Sequence, residues 1–427
     1  MEKMKTRRTN LIVGYIGREI SADVVDFSYM DVAGGSSDSL TLSLSDRERL
    51  WLDAWMPNGG DMVTAAIQTE NWKTEGDNES LYTGEFIVDS VGFSGGTAGV
   101  SVGAVSKPAD DAFSTTQRSQ TWENITLQEI AQTIASRYNL ALTYDAADIP
   151  ILAKEQSEEA DSGFLSALCE RYGLLLKIYS RKLVIYDREA YKAKASVLTI
   201  DRSEMGTDWS FNKEIQGSYT GGKIVYTDPK TEEDVTFSVG TQSRPLEINE
   251  KADNIADAER IITAKVANAN HGMEQLKFSV MGNTKIVGGI NIEITGFGSK
   301  VSGKYFVDTA EHTYNRNDGY RTRVEASKVE VSNSVEAAID FLASLGIIHS
   351  PDYWKNNYGN VKYLDLLLCN MAAKIKSNTE GGGTASTADA ISKLSGVGVI
   401  NTPEYWTQHQ GDLPWLGQLL QNAANAI

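Results

Sequence analysis

Apolar and polar residues alternate with period two over much of residues 10–107. In "SLTLSLSD" (39–46), Leu40, Leu42 and Leu44 share one face, as a half-buried strand requires. A turn cluster, "PNGGD" (57–61), leads into "MVTAAI" (62–67), which reads as a strand. "GEFIVDSVGF" (84–93) and "GVSVGAVSK" (99–107) flank Gly95-Gly96 and predict a hairpin. The period changes between residues 108 and 205. "TLQEIAQTIASRYNL" (126–140) opens with Thr-x-x-Glu, a capping box, and sets Leu127, Ile130, Ala131, Ile134 and Ala135 on one helical face. "DSGFLSALCERYG" (161–173) predicts a second helix, capped by Asp161 or Ser162 and stopped at Gly173. "LLLKIY" and "KLVIYD" then predict a hairpin across Ser180-Arg181. From 208 to 330 the pattern is β again, with "GGKIVYTD" pairing "DVTFSVG" and one helix over 254–270.

Two stretches of this pattern repeat. "GEFIVDSVGF" and "GKYFVDTAEH" (303–312) both read Gly, a charge, apolar residues, then Val-Asp and a small hydroxyl. Each follows a Gly-Gly turn (Gly59-Gly60, Gly288-Gly289) and a strand, "MVTAAI" or "INIEI", and each precedes a strand ending Ser-Lys, "AVSK" (104–107) or "EASK" (325–328). Four matched elements in the same order indicate a duplicated β unit. Residues 62–107 and 290–328 are therefore expected to share one strand arrangement. At the C-terminal end, residues 338–375 align without gaps on residues 390–427, with fifteen of 38 positions identical. These include Gly346/Gly398, Pro351/Pro403, Tyr353/Tyr405, Trp354/Trp406 and Leu364/Leu416. Each copy reads as helix, turn, Pro-started helix, turn, helix.

The resulting fold class is mainly β with an α+β insert. The expected domains are a first β-barrel (1–107), the insert (108–207), a second β-barrel (208–332), helical repeat 1 (333–375), a flexible Gly/Ser/Thr-rich linker (376–389) and helical repeat 2 (390–427).

Composition narrows the function. A net charge of −17 argues against nucleic acid as a partner, since phosphate binding needs clustered Lys and Arg. The basic run "KMKTRR" (3–8) is short, and the apolar run after it lacks a cleavage signal. No apolar run approaches the roughly 20 residues of a membrane span. Two cysteines, Cys169 and Cys369, sit in helix-like apolar patterns, so no disulfide framework is expected and cytoplasmic synthesis is the simplest reading.

Candidate chemistry is sparse. His271, His312, His349 and His409 do not pair at metal-ligand spacing, and there is no HExxH or CxxC. His312 lies on a strand and reads as a hydrogen-bonded structural histidine; Cys169 reads as a buried, inert thiol. "GFGSKVSG" (296–303) is glycine-rich but precedes a strand, so it cannot set phosphate on a helix N-terminus. Acidic pairs such as Glu158/Glu159 and Glu232/Glu233 fall in polar loops without the apolar setting that separates carboxyl pKa values. No catalytic, cofactor-binding or metal-ligating residues are expected. Tyr353, Trp354, Tyr405 and Trp406 fit either a contact for sugar or a protein partner, or the cores of very small helical units.

Several segments, in order, resemble the late control protein D family, the baseplate hub of contractile phage tails. They are "SLTLSLSDRERLWLDAWMPNGGDMVTAAI", "RSQTWENITLQEIAQTIASRYNL", "DSGFLSALCERYGLLLKIYSRKLVIYD", "AERIITAKVANAN" and "GFGSKVSGKYFVDTAEHTY", together spanning about residues 10–330. Relatives of that family include the hub of T-even phages and the N-terminal part of type VI secretion spikes. The resemblance implies a non-enzymatic homotrimer, each chain supplying two similar barrels. Six near-equivalent units would then join a sixfold tail tube to a threefold spike, with tape-measure or other baseplate proteins nearby. It places the assembled protein in the baseplate of a phage tail or of a tail-like bacteriocin. The acidic charge suits a tube end that must not trap DNA. The chain departs from the family beyond residue 330. "SPDYW…VKYLDLLL" resembles short repeats at the ends of proteins from Gram-positive bacteria and their phages. It is expected to contact another tail component or the cell wall. The alternative function is a wall-binding or wall-hydrolase-associated protein targeted by these repeats.

Overall fold

The computed structural model describes residues 6–329, apart from 96–98, 109, 215–216, 229–230, 241–242 and 299. Beyond 329 it describes residues 339, 342, 343, 347, 351–357, 364, 371, 387–396, 399, 400, 403–409, 411, 416, 419 and 423. The chain forms two compact units, 1–329 and 330–427.

In chain order, the first unit begins with β1 (Arg8–Tyr15), β2 (Arg18–Glu19), β3 (Val24–Val32), β4 (Ser39–Ser45), β5 (Met62–Glu70), β6 (Glu79–Ser94) and β7 (Gly99–Val105). An α+β segment follows: α1 (Ala112–Thr115), β8 (Gln117–Thr126), α2 (Leu127–Arg137), β9 (Ala141–Asp145), β10 (Pro150–Ala160), α3 (Asp161–Arg171), β11 (Leu174–Tyr179), β12 (Lys182–Asp187) and α4 (Arg188–Ala193). Then come β13 (Leu198–Asp201), β14 (Ser210–Lys213), β15 (Gly221–Thr227), β16 (Asp234–Gly240), β17 (Pro245–Asn249), α5 (Ile255–Asn270), β18 (Glu274–Met281), β19 (Asn291–Thr295), β20 (Gly303–Asn315) and β21 (Gly319–Lys328). Thirteen of these strands make one sheet, in the order β14-β18-β21-β20-β3-β4-β7-β6-β5-β1-β2, with β19 and β13 added beside β20.

This sheet contains one arrangement twice. Read outward, the order β3-β4-β7-β6-β5-β1 matches β14-β18-β21-β20-β19-β13. The match holds residue by residue. Met62 to Ala65 pair with Ile87 to Gly84, and Asn291 to Ile294 pair with Phe306 to Gly303. Both long middle strands carry a bulge at the repeated Asp: Asp89 between Val88 and Ser90, Asp308 between Val307 and Thr309. A bulge inserts one extra residue and bends the strand, so each Val-Asp marks the bend at which the middle strand leaves its first partner. Inward-facing residues correspond as well. Leu40, Leu42 and Leu44 of β4 match Leu276, Phe278 and Val280 of β18, all buried in separate cores.

Four features differ from expectation. The Ser-Lys endings are out of step by one: Val105 lies opposite Ile87, whereas Ser327 lies opposite the matching Phe306. The outermost strands differ in direction, since β1 is antiparallel to β5 but β13 is parallel to β19. Residues 198–201, expected in the insert, thus join the second β unit. Finally, β15, β16 and β17 form a separate three-stranded sheet packed on α5, inserted between β14 and β18 where the first unit has a short β3–β4 connection.

The α+β segment has its own core around Trp122, Ile130, Phe164 and Leu183. Helix α2 starts with the expected capping box, Thr126 and Glu129. Helix α3 does not use Asp161 or Ser162 as its cap; Ala160 is the N-cap and makes no side-chain cap bond. The Asp161 carboxylate is instead buried against Arg137, Tyr138 and Gln156. Burial alone would raise its pKa, but the hydrogen bonds from Gln156, Tyr138 and Arg137 outweigh that and hold it low.

In the C-terminal unit, α6 (Pro351–Asn357) and α8 (Pro403–His409) occupy matching places, and α7 (Thr387–Gly396) begins inside the stretch expected to be linker. Ile339, Leu342, Ile347, Trp354, Leu364 and Met371 are buried, and so are Ile391, Leu394, Val399, Trp406, Leu416 and Ala423, each 52 positions later. Ile347 N–H donates to Leu342 C=O (3.0 Å), and Val399 N–H to Leu394 C=O (2.9 Å). Both repeats contribute to a single hydrophobic cluster. Cys369 and His349 lie outside the described residues.

Candidate assembly interface

The two β units are joined edge to edge. β3 pairs antiparallel with the second half of β20, from Thr309 opposite Val32 to Asn315 opposite Asp26. The bulge at Asp308 makes this possible. Before it, β20 pairs with β19; past it, the same edge is free of β19 and accepts β3. Ala33 N–H closes the end of the seam by donating to Asp308 C=O, at 2.8 Å.

Side chains join both faces of the seam. On the buried face, Tyr29 and His312 lie directly opposite one another and stack, with ring centroids 5.8 Å apart and planes inclined by 18°. His312 Nδ1 is 2.7 Å from Tyr320 Oη, and Nε2 is 2.9 Å from Ile286 O. Burial pushes its pKa down to about 4, because a charged imidazole there would lose its hydration. Tyr320 and Met281 of the second unit pack into the core of the first. On the polar face, Ser28 Oγ donates to Glu311 (2.8 Å), and Arg323 lies 3.6 Å from Glu311. Beyond the strands, Thr284 and Lys285 bond Glu79, and Trp72 Nε1–H donates to Gly282 C=O. Gly288 packs so closely on the end of β3 that an added Cβ would stand 2.6 Å from the Ala33 nitrogen and the Val32 carbonyl carbon.

The insert is fixed to the first β unit by a buried charge cluster. Lys177 Nζ bonds Asp31 and the Val32 carbonyl (2.8 Å) and stands 3.0 Å from Asp38. Burial pushes the Asp38 carboxyl up to about 6, against the opposing pull of Lys177. Tyr186 Oη donates to Ala33 C=O (2.6 Å), and Ser106 Oγ to Ile178 C=O (2.9 Å).

The structure does not bring the sequence-derived candidates together at one site. Trp354 and Trp406 are buried in the C-terminal core, with Tyr353 and Tyr405 packed against it at ring separations of 5.6 and 5.3 Å. Cys169 is buried, and its thiol is pushed up to about 12 by burial. His271 Nε2 lies 2.8 Å from Asp308. Among the described residues, no group of three or more His, Cys, Asp or Glu could hold a metal ion. No described helix is long and apolar enough to cross a membrane. An open polar groove crosses the seam, lined by Asp26, Ser28, Thr313, Asn315 and Arg323. Sequence reasoning missed the seam itself, although the shared Val-Asp bulge that frees the β20 edge was visible in the repeat.

No family model matches the sequence. A probable baseplate hub protein of Escherichia phage P2 is 29% identical over 220 residues, covering 49% of this chain and 54% of the relative. That of Escherichia phage 186 is 26% identical over 226 residues, covering 50% and 55%. Over about half its length the chain is thus similar in sequence to phage baseplate hub proteins. It spans about half the length of the curated hub relatives it matches. The fold is shared with a tail protein from Neisseria meningitidis MC58 (TM-score 0.58, 13% identity, 75% of this chain and 96% of that one). It is also shared with the 43 kDa tail protein of prophage MuSo2 from Shewanella oneidensis (TM-score 0.57, 12% identity, 75% and 98%).

Proposed function

We propose that this chain is a structural, non-enzymatic hub of a contractile-tail baseplate. It acts as a homotrimer whose six near-equivalent β units join a sixfold tail tube to a threefold central spike. The observation that carries the reading is the duplicated strand order joined edge to edge by β3 and β20. A chain with two like units, repeated three times, offers six similar faces on one side and three identical chains on the other. The kinship with phage hub proteins supports the setting. In this reading the protein is made in the bacterial cytoplasm and assembled into the particle beside tube, spike and other baseplate proteins. The C-terminal helical unit then serves attachment to another tail component or to the cell wall.

The test is native mass across a concentration series, alone and with tube and spike proteins. The expected species has three times the mass of the 46.6 kDa chain. A chain that stays single in the presence of both partners would overturn the trimer.

A further inference from the structure

The seam that joins the two β units has a counterpart whose two sides are both present in the chain but do not meet. β20 is paired on one edge by β21, and on the other by β19 and then, past the bulge, by β3. β6, its equivalent, is paired on one edge by β7 and on the other by β5 only as far as Ile87. Among the described residues nothing pairs the β6 edge from Ser90 to Ser94, the place that β3 takes on β20. The strand equivalent to β3 is β14. Tyr29 faces Leu40, which faces Ala104, which faces Val88. Phe211 faces Leu276, which faces Ala326, which faces the matching Val307. β14 pairs β18 on one edge and is the last strand at that end of the sheet among the described residues.

The geometry points to β6 of one copy pairing antiparallel with β14 of the next copy, in the register of the internal seam. This deepens the trimer reading, on which its closure into a ring rests. Replacing each residue of the β3–β20 ladder by its equivalent sets Val91 opposite Lys213, Gly92 opposite Asn212, Phe93 opposite Phe211 and Ser94 opposite Ser210. Phe93 thus faces Phe211 where His312 faces Tyr29 within the chain.

Two independent features support this. Phe93 is a large apolar side chain left 37% exposed on a strand, and Phe211 is only half-buried; the pairing covers both. The second feature is Gly59. Its equivalent, Gly288, has no room for a Cβ because the backbone of Val32 and Ala33 lies against it. Around Gly59 nothing among the described residues lies within 4 Å of an added Cβ, and its φ is not in the left-handed region, so nothing described in the chain calls for glycine there. In the copied seam it lies under the backbone of Glu214 from the next copy, where only glycine fits. Among the described residues each chain thus presents one edge of each kind with no strand on it, a head-to-tail contact that closes when the rotation per junction completes a ring.

The test uses the full-length chain carrying Phe93→Cys and Phe211→Cys together. Directly opposed antiparallel positions lie about 4.5–5.5 Å apart at Cα, within disulfide reach. Oxidation is expected to give two- and three-chain species on non-reducing gels, absent from either single variant. Phe93→Cys with Lys213→Cys, displaced by two residues, is expected to give none. Gly59→Val is expected to leave the single-chain melting curve unchanged and to abolish association. A trimeric mass without the Phe93–Phe211 cross-link, or a Gly59→Val protein that still associates, overturns the edge pairing and leaves the trimer standing. Cross-linking into open polymers with no three-chain species keeps the edge pairing and overturns the closed trimer. A chain that neither associates nor cross-links overturns both.

Discussion

Tyr29 and His312, 283 positions apart in the chain, stack face to face across the seam between the two β units, with ring centroids 5.8 Å apart. The pair lies directly opposite in the ladder, so one contact reports whether the two units are joined. Both His312 nitrogens are within hydrogen-bond distance of Tyr320 Oη and Ile286 O. One nitrogen must donate and the other accept. The Ile286 carbonyl only accepts, so Nε2 carries the hydrogen and Nδ1 receives the Tyr320 hydroxyl.

That neutral state makes the seam acid-sensitive. His312 in the unfolded chain takes up a proton near pH 6.5, but in the folded protein only near pH 4. Between these values the unfolded state binds more protons, so stability falls as pH drops through the window. The whole window corresponds to about 3 kcal/mol. Asp38, raised to about 6, contributes a slope of the opposite sign, but it is common to wild type and variant. His312→Phe keeps a ring against Tyr29 and cannot titrate. Urea unfolding at pH 7.5 and 5 should show a smaller acid loss in the variant, from a starting stability lower by about 1–3 kcal/mol for the two lost hydrogen bonds. An equal acid loss in both proteins would assign the effect to other groups.

Gly288 tests the seam by packing instead of charge. Its neighbours are backbone atoms at 2.6 Å, which cannot swing aside as a flexible side chain would. Gly288→Ala should destabilise the chain by about 2 kcal/mol or more. Gly298→Ala, in the loop before β20 with nothing within 4 Å, should stay within about 0.5 kcal/mol. Equal thermal midpoints for the two variants would show that the end of β3 yields.

What was legible in the sequence was whatever local pattern encodes. The capping box at Thr126, the β6–β7 and β11–β12 hairpins, and α5 all follow from periodicity and turn chemistry. The Val-Asp repeat marked the right residues because a bulge is a local event. Alignment by Ser-Lys failed by one position, since similar strand endings carry no register of their own. The alternation in β15 and β16 correctly marked strands, but period two says nothing about which sheet a strand joins. Asp161 looked like a cap because caps are judged from neighbours in sequence, whereas its carboxylate is claimed by Arg137 from the preceding helix. The seam itself joins residues about 280 positions apart, beyond any local signal.

The C-terminal unit offers a test of a shared core. Trp354 and Trp406 are both buried in one cluster that draws on the two repeats. Trp→Ala at either position should cost about 3–5 kcal/mol in that unit. If the repeats share one core, each variant should lower the unfolding midpoint of the whole C-terminal unit, and the double variant should cost less than the sum. Limited proteolysis of the full-length protein followed by mass spectrometry reads this out. Cleavage of only the substituted repeat in each variant would show two independent modules.

Lys177 should be the most sensitive single position linking the insert to the first β unit. Its ammonium faces two buried carboxylates, Asp31 and Asp38, which would otherwise repel each other with no cation between them. Lys177→Met removes the cation that bridges the two carboxylates and should cost about 3–5 kcal/mol near pH 8. Asp38 already holds its proton to about pH 6 in the intact protein, and losing Lys177 raises that value further. A carboxyl that is more basic folded than unfolded gains stability as pH falls. The penalty of Lys177→Met should therefore shrink between pH 8 and pH 5, opposite in sign to the His312 effect. Asp38→Asn in the Lys177→Met background should recover part of the loss at pH 8 by removing the unpaired charge. Urea midpoints for the three proteins at the two pH values decide it. A penalty that is independent of pH and untouched by Asp38→Asn would mean that Lys177 acts through its aliphatic stem, by packing alone.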